Sequence, residues 1–370
     1  MADPPDMFTL GVEEEFFLID PETRQLSPAV SDVLPRAKEV AGDQVDHELQ
    51  RAQIETGTEV CRTLEELRAE LARLRCGVAK SAESVGKAIG ASGTHPFADW
   101  RSTGVTPEAA YLKLERDYQQ IAREQIVCGC HIHVGMPDRE QAIQVLNRVR
   151  PWLSPILALS VNSPFWEGVD TGYDSYRTEV WRRWPMSGTA HLFRSRAEYE
   201  ELVRTLMSTG SIDDPARIYW DVRLSAKFDT LEFRVTDVCM TIDEAVMIAA
   251  LVRGLARTCH RQMLDGVPAP DPRPELLRAA TWRAARYGVQ ADLIDIGRRV
   301  SVPALEMVRN LLDLLEPALA GHGESEEVAS LVGRTLSRGT GASRQRRAFS
   351  QRERMEDVVD LVIAETVCVC

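Results

Sequence analysis

The sequence predicts an α+β fold in which one antiparallel sheet turns a concave, polar face to a ligand and its other face to helices. Two patterns carry this expectation. Short segments rich in β-branched and aromatic residues alternate apolar side chains with carboxylates, imidazoles or guanidiniums, as strands buried on one face do. Between and after them, apolar residues recur at the three- and four-residue steps of helices. Hydrophobic residues make up 44% and charged residues 27% of the 370. That balance supplies a sizeable core and excludes disorder or a coiled coil as the main state.

Residues 7–20, MFTLGVEEEFFLID, read as the first strand, ended by a turn at Asp20-Pro21-Glu22-Thr23 and followed by a short partner at 24–26. Residues 63–89 are expected to be helical, with Leu64, Leu67, Leu71, Leu74 and Val78 in one stripe and Thr63 as N-cap before Glu66. Strands follow at 88–94 and 125–136, separated by a helix from Thr106-Pro107, where proline suits the first turn. Pro137-Asp138 opens a helix towards Pro151, and 153–166 reads as a buried helix running into a shaped loop. Residues 217–225 and 230–237 form a strand pair, and from Ile242 the pattern is almost wholly helical. No repeat, low-complexity segment or Gly/Ser linker divides the chain, and the proline-rich 268–274 is a weak boundary. One domain over 1–370 is expected, mixed to residue 240 and mainly helical over 241–370.

Charge and composition exclude several function classes. With 44 basic against 56 acidic residues, the formal charge of -12 repels phosphate backbones, so no nucleic-acid partner is expected. The longest apolar run, residues 245–252, falls far short of the roughly 18 residues of a membrane span. The acidic N-terminus lacks the basic and apolar segments of an export signal, and a cytoplasmic location is expected. There the eight cysteines would stay reduced. Cys128-Gly-Cys130 and Cys368-Val-Cys370 are also too closely spaced for ordinary zinc sites.

Three segments carry chemistry. Glu13, Glu14 and Glu15 lie inside an otherwise apolar strand, with Glu13 and Glu15 on one face and Glu14 on the other. Such acids either deter pairing on an exposed edge or bind a cation that offsets their repulsion. His131-Ile132-His133 places two imidazoles on one face, as metal ligands or as structural histidines satisfied by carboxylates. In residues 230–237, Glu232, Arg234 and Thr236 oppose Leu231, Phe233 and Val235, while Asp221 and Arg223 oppose Trp220, Val222 and Leu224. A solvated sheet face would give that last pattern too. In combination, hard carboxylates suit Mg²⁺ and arginines suit phosphate or carboxylate, which together suggest a metal–nucleotide site. Neither a Walker A loop nor GxGxxG is present.

Several stretches resemble the type 2 glutamate–cysteine ligase, or carboxylate–amine ligase, family. They are GVEEEFFLID (11–20), QIETGT (53–58), GCHIHVG (129–135), LALSVNSPFWEGVDTGYDSYR (157–177), IYWDVRLS (218–225) and TLEFRVTD (230–237), in family order. WRAARYG (282–288) and the arginine-rich tail are more weakly similar. The resemblance implies a fold akin to glutamine synthetase and the guanidino kinases, with ATP and Mg²⁺ on the concave sheet face. It implies ATP-dependent joining of glutamate or a similar acid to an amine such as cysteine, through an acyl phosphate, and a homo-oligomer. Metal-binding acids would fall on Glu13, Glu15, Glu55, Glu232 and Glu48. His131 and His133 would lie near the phosphates and are candidate bases. Arg177, Arg223 and Arg234 would hold substrate carboxylate or phosphate, with Arg177 or Arg234 stabilising the transferred group. The chain departs from the family pattern at Val161, where alanine is usual, and at Leu224-Ser225, where a Pro-Ser pair is usual.

The tail arginines Arg334, Arg338, Arg344, Arg346, Arg347, Arg352 and Arg354, around the flexible Gly339-Thr340-Gly341, suit solvent or a partner better than nucleotide phosphates. Residues 170–176 suit either a substrate lid or a loop packed on the core. Two rival functions remain: a degenerate ligase that only binds nucleotide, and a metal-dependent amidohydrolase built on His131-Ile132-His133. The amidohydrolase requires eight alternating βα units, which the helical C-terminal third does not provide.

Overall fold

The computed structural model describes residues 7–368 and 370. Its centre is a seven-stranded sheet: β1 (Leu10–Ile19), β2 (Val45–His47), β3 (Gln53–Gly57), β4 (Ala88–Gly90), β5 (Gly129–Gly135), β6 (Val222–Leu224) and β7 (Thr230–Asp237). The order is β6-β7-β5-β1-β3-β2, with β4 beside the end of β1, and every pairing is antiparallel. The expected antiparallel sheet with helices is therefore present. β2 and β3, and the helix Val30–Ala41, carry too short or too polar a pattern to stand out from the sequence.

One sheet face is apolar. Val12, Ile132, Val134, Leu231, Phe233, Val222 and Leu224 share a core with Leu67 and Leu71 of the helix Leu64–Glu83 and Val246 and Ala249 of the helix Ile242–Leu264. Thr63 and Glu66 form the expected capping box, although the helix ends at Glu83. On this face Glu14 meets fully buried Arg75, whose Nε donates to Oε2 at 2.9 Å, while its other nitrogens donate to the Met240 and Cys239 carbonyls at 3.0 Å. The triple glutamate is thus split by strand alternation, one acid beneath the sheet and two above it.

The C-terminal third is mainly helical and carries one hairpin, in which Asp292–Asp295 pairs with Val300–Pro303 and the chain turns through Arg299 at φ 57°. Other expectations are corrected. Of the tail arginines, Arg334, Arg338, Arg347, Arg352 and Arg354 are exposed, but Arg344 is buried against Glu244, and Arg346 clasps Asp170 and Asp174. The Gly339-Thr340-Gly341 segment is packed, since a Cβ on Gly341 would lie 2.1 Å from Asn162 Oδ1. Finally, Cys76 and Cys370 form a disulfide, so the cysteines are not all free. Among the described residues no helix is long and apolar enough to cross a membrane.

Candidate functional site

The polar sheet face is assembled by register. Glu13 lies opposite His131, Glu15 opposite Glu55, Glu232 opposite His133 and Arg223 opposite Glu232. Glu48 comes from the connection between β2 and β3, and Arg177 from the short helix Tyr176–Trp181. All ten residues expected at the site line one of two adjoining pockets. The first, acidic pocket holds Glu13, Glu48, Glu55, His131, His133, Arg223, Glu232 and Arg234. The second holds Glu15, Glu48, His131, Arg177 and Arg234 beside Trp181, Trp184, Tyr219 and Tyr111. Glu48, His131 and Arg234 belong to both.

Asp221 and Arg223 prove to be buried rather than solvated: Thr189 Oγ1 donates to Asp221 Oδ2 at 2.6 Å, and Arg223 Nη1 donates to the Ala216 and Ile218 carbonyls at 2.6 Å. Arg223 also grips Glu232 through two bonds of 2.8 and 2.9 Å, and Arg234 donates to the same carboxylate. Burial opposes the Glu232 charge, but Arg234 and Arg223 outweigh it and hold the carboxyl at about 2. Burial likewise opposes the Glu13 charge, yet His131 Nδ1 at 3.1 Å and His133 Nε2 at 3.2 Å draw its carboxyl well below the usual range.

The remaining acids lack such compensation. Burial, then neighbouring Glu48, push Glu15 up to about 8. Burial raises Glu55 well above the ordinary value, helped by Glu13, Glu48 and Glu15, and burial raises Glu48 as well. Oxygen and nitrogen atoms of Glu13, His131 and Glu232 lie within 4.8 Å of one another, as do those of Glu15, Glu55 and His131. Hard oxygens around a shared imidazole, with more carboxylates than nearby arginines, fit a divalent cation such as Mg²⁺.

Sequence reasoning missed the second pocket's aromatic wall. Trp181 lies under both arginines, with the Arg177 and Arg234 guanidinium carbons 5.8 and 5.5 Å from its ring, and Trp184 Nε1 donates to Gln125 at 2.7 Å. The three-residue step from Trp181 to Trp184, just after Arg177, was the available signal. Lys227 and exposed Phe228, on the β6–β7 turn, were missed too. Phe228 edges onto His133, and both turn residues line the acidic pocket.

Comparison with known proteins shows the family and the fold. The family described as Glutamate-cysteine ligase family 2 (GCS2) matches residues 9–362. A Frankia alni protein named "Putative glutamate--cysteine ligase 2-2" is 45% identical over 372 residues, covering 97% of each chain. Two solved structures share the fold. The glutamate–cysteine ligase of Francisella tularensis in complex with AMP has a TM-score of 0.74 at 13% identity, covering 100% of this chain and 90% of that one. A bifunctional glutathione synthetase from Pasteurella multocida has a TM-score of 0.72 at 18% identity, covering 98% and 53%. By the span of the family match and the identity to its relatives, the chain belongs to glutamate–cysteine ligase family 2.

Proposed function

We propose that the chain is one ATP- and Mg²⁺-dependent carboxylate–amine ligase domain, of the glutamate–cysteine ligase type, with a sheet used as in glutamine synthetase and the guanidino kinases. One observation carries the reading: five carboxylates and two imidazoles converge on one sheet face beside three arginines. The AMP complex of the Francisella ligase supports a nucleotide at such a fold.

Glu13, Glu15, Glu55, Glu232 and Glu48 would hold the metal, which when bound supplies positive charge against the phosphates. The main barrier is the approach of two anions, the γ-phosphoryl group and the acid's carboxylate. Arg234, common to both pockets, faces the transferring group, while Arg177 on the aromatic side receives the acid and Arg223 keeps Glu232 ionised. Phosphoryl transfer to the carboxylate gives an acyl phosphate and ADP. The amine then attacks the acyl carbon, phosphate leaves, and the ammonium proton passes to a base, for which His131 and His133 are the imidazoles at hand. The antiparallel sheet gives no support to an amidohydrolase barrel.

The test is ADP release from ATP, Mg²⁺ and glutamate with a panel of amines, with the product identified by mass spectrometry. Amine-stimulated ADP release lost in Glu232→Gln, with the fold intact, supports the reading. No amine-dependent ADP under any condition leaves a nucleotide-binding protein instead.

A further inference from the structure

Asp237, the last residue of β7, has no part in the chemistry above, yet it is fully buried at the heart of a hydrogen-bonded clasp. Its Oδ2 accepts from the Asn162 N–H at 2.8 Å and the Ser163 hydroxyl at 2.7 Å, and its Oδ1 accepts from the Ser175 hydroxyl at 2.7 Å. Both serines pass the constraint on. Ser163 Oγ accepts from the Arg177 N–H at 3.1 Å, and Ser175 Oγ caps the Tyr176–Trp181 helix by accepting from Thr178 N–H at 3.3 Å. A helix of six residues has little stability of its own, so its direction depends on such anchors.

The Arg177 side chain is constrained from the same strand pair. Gly129 is the cross-strand partner of Asp237, and a Cβ on Gly129 would lie 2.2 Å from Arg177 Nη2. The guanidinium therefore crosses β5 only because that position lacks a side chain. Its Nη2 donates to the Arg234 carbonyl at 3.4 Å, and its buried Nε has no protein partner although the residue lines the aromatic pocket. Burial pushes the Asp237 carboxyl above its usual range, against the opposing Arg177 charge and the hydrogen bonds from Ser163, Ser175 and Asn162.

We propose that Asp237 is a positioning residue: through Ser163 and Ser175 it fixes the start of the Tyr176–Trp181 helix, and with it the Arg177 guanidinium over Gly129, ready for the acid substrate's carboxylate. The inference rests on the reading of the aromatic pocket as the acid's site.

Asp237→Asn tests it, because both carboxylate oxygens accept hydrogen bonds in the clasp and the amide keeps only one acceptor, so the arm to Ser163 or the arm to Ser175 is weakened. The KM for the acid is expected to rise about 10- to 100-fold, the range of one charged contact, with the KM for ATP unchanged. The double variant Arg177→Ala/Asp237→Asn should be no worse than Arg177→Ala alone. Ser163→Ala, a milder change, should move the same constant by a smaller factor. Additive losses, or an equal rise in both KM values, would overturn the proposal. A crystal structure of ligand-free Asp237→Asn separates this failure from failure of the ligase reading. A guanidinium displaced from Gly129 supports the positioning role even if the wild-type chain turns over no acid; an unmoved one overturns it whatever the activity.

Discussion

The split of Glu13, Glu14 and Glu15 across one strand can be tested by separating stability from turnover. Arg75→Met removes a guanidinium that is completely buried with Glu14 and donates to two backbone carbonyls as well. At an effective dielectric of about 20, opposite charges about 4 Å apart attract by about 4 kcal/mol. Breaking a buried pair from one side costs about 3–5 kcal/mol, a large part of an ordinary folding free energy of about 5–15 kcal/mol. Urea denaturation should therefore show a loss near 4 kcal/mol for Arg75→Met. Glu14→Leu combined with Arg75→Met should recover much of it, because the uncompensated charge is gone. Glu13→Gln should behave in the opposite way, costing clearly less stability than Arg75→Met while abolishing metal-dependent ADP release. The face assignment is refuted if Glu14→Gln abolishes turnover at unchanged stability while Glu13→Gln unfolds the chain.

Three further outcomes are expected. Mg²⁺ at 100 times its dissociation constant should stabilise the fold by about 2.7 kcal/mol, a rise of roughly 3 °C in Tm by calorimetry, and Glu13→Gln/Glu55→Gln should remove that rise; an equal rise in the variant places the ion elsewhere. His95 donates from Nε2 to the Arg24 carbonyl, while its Nδ1 accepts from Phe97 and Ala98 N–H, and burial lowers it to about 3. Its folded value lies below the unfolded value of about 6.5, so its contribution is complete above that value and falls with pH through the interval down to about 3; between pH 7 and 5 wild type should lose about 2 kcal/mol more than His95→Gln in urea titrations. With Cys76 joined to Cys370, the denatured, unreduced chain should show six reactive thiols and the reduced chain eight, and Cys370→Ser should cost about 2–4 kcal/mol; eight thiols before reduction would exclude the bond.

The sequence exposed what depends on alternation and periodicity. Period two placed Glu13 and Glu15 opposite Glu14, and His131 with His133, while the leucine stripe and Thr63 located the helix behind them. Glu55 came from the family resemblance alone, because β3 is five residues long and half polar. The aromatic pocket depends on the path of the chain after Ser175, which no local pattern encodes. Two of the tail arginines, Arg344 and Arg346, misled for a related reason. Their partners Glu244, Asp170 and Asp174 lie 100 to 176 residues away, so part of a charge run that locally resembles a solvated face helps dock the C-terminal helices.

β1 itself shows why its upper face is built for a ligand rather than for folding. Beneath the sheet the chain solves the problem of a buried acid by giving Glu14 its own arginine and burying both completely. Above it, one residue away, Glu15 is set directly opposite Glu55, a like-charged pairing that destabilises a sheet. Glu48 stands close enough to raise both carboxyls further. Arg177, Arg234 and the Gly129 N–H offset only part of this, and Arg234 is itself engaged by Glu232. Folding alone would favour an apolar residue or a second Arg75-like partner at Glu15. On the proposed reading the repulsion is tolerable, because a bound divalent ion would supply the positive charge that no fixed side chain provides there.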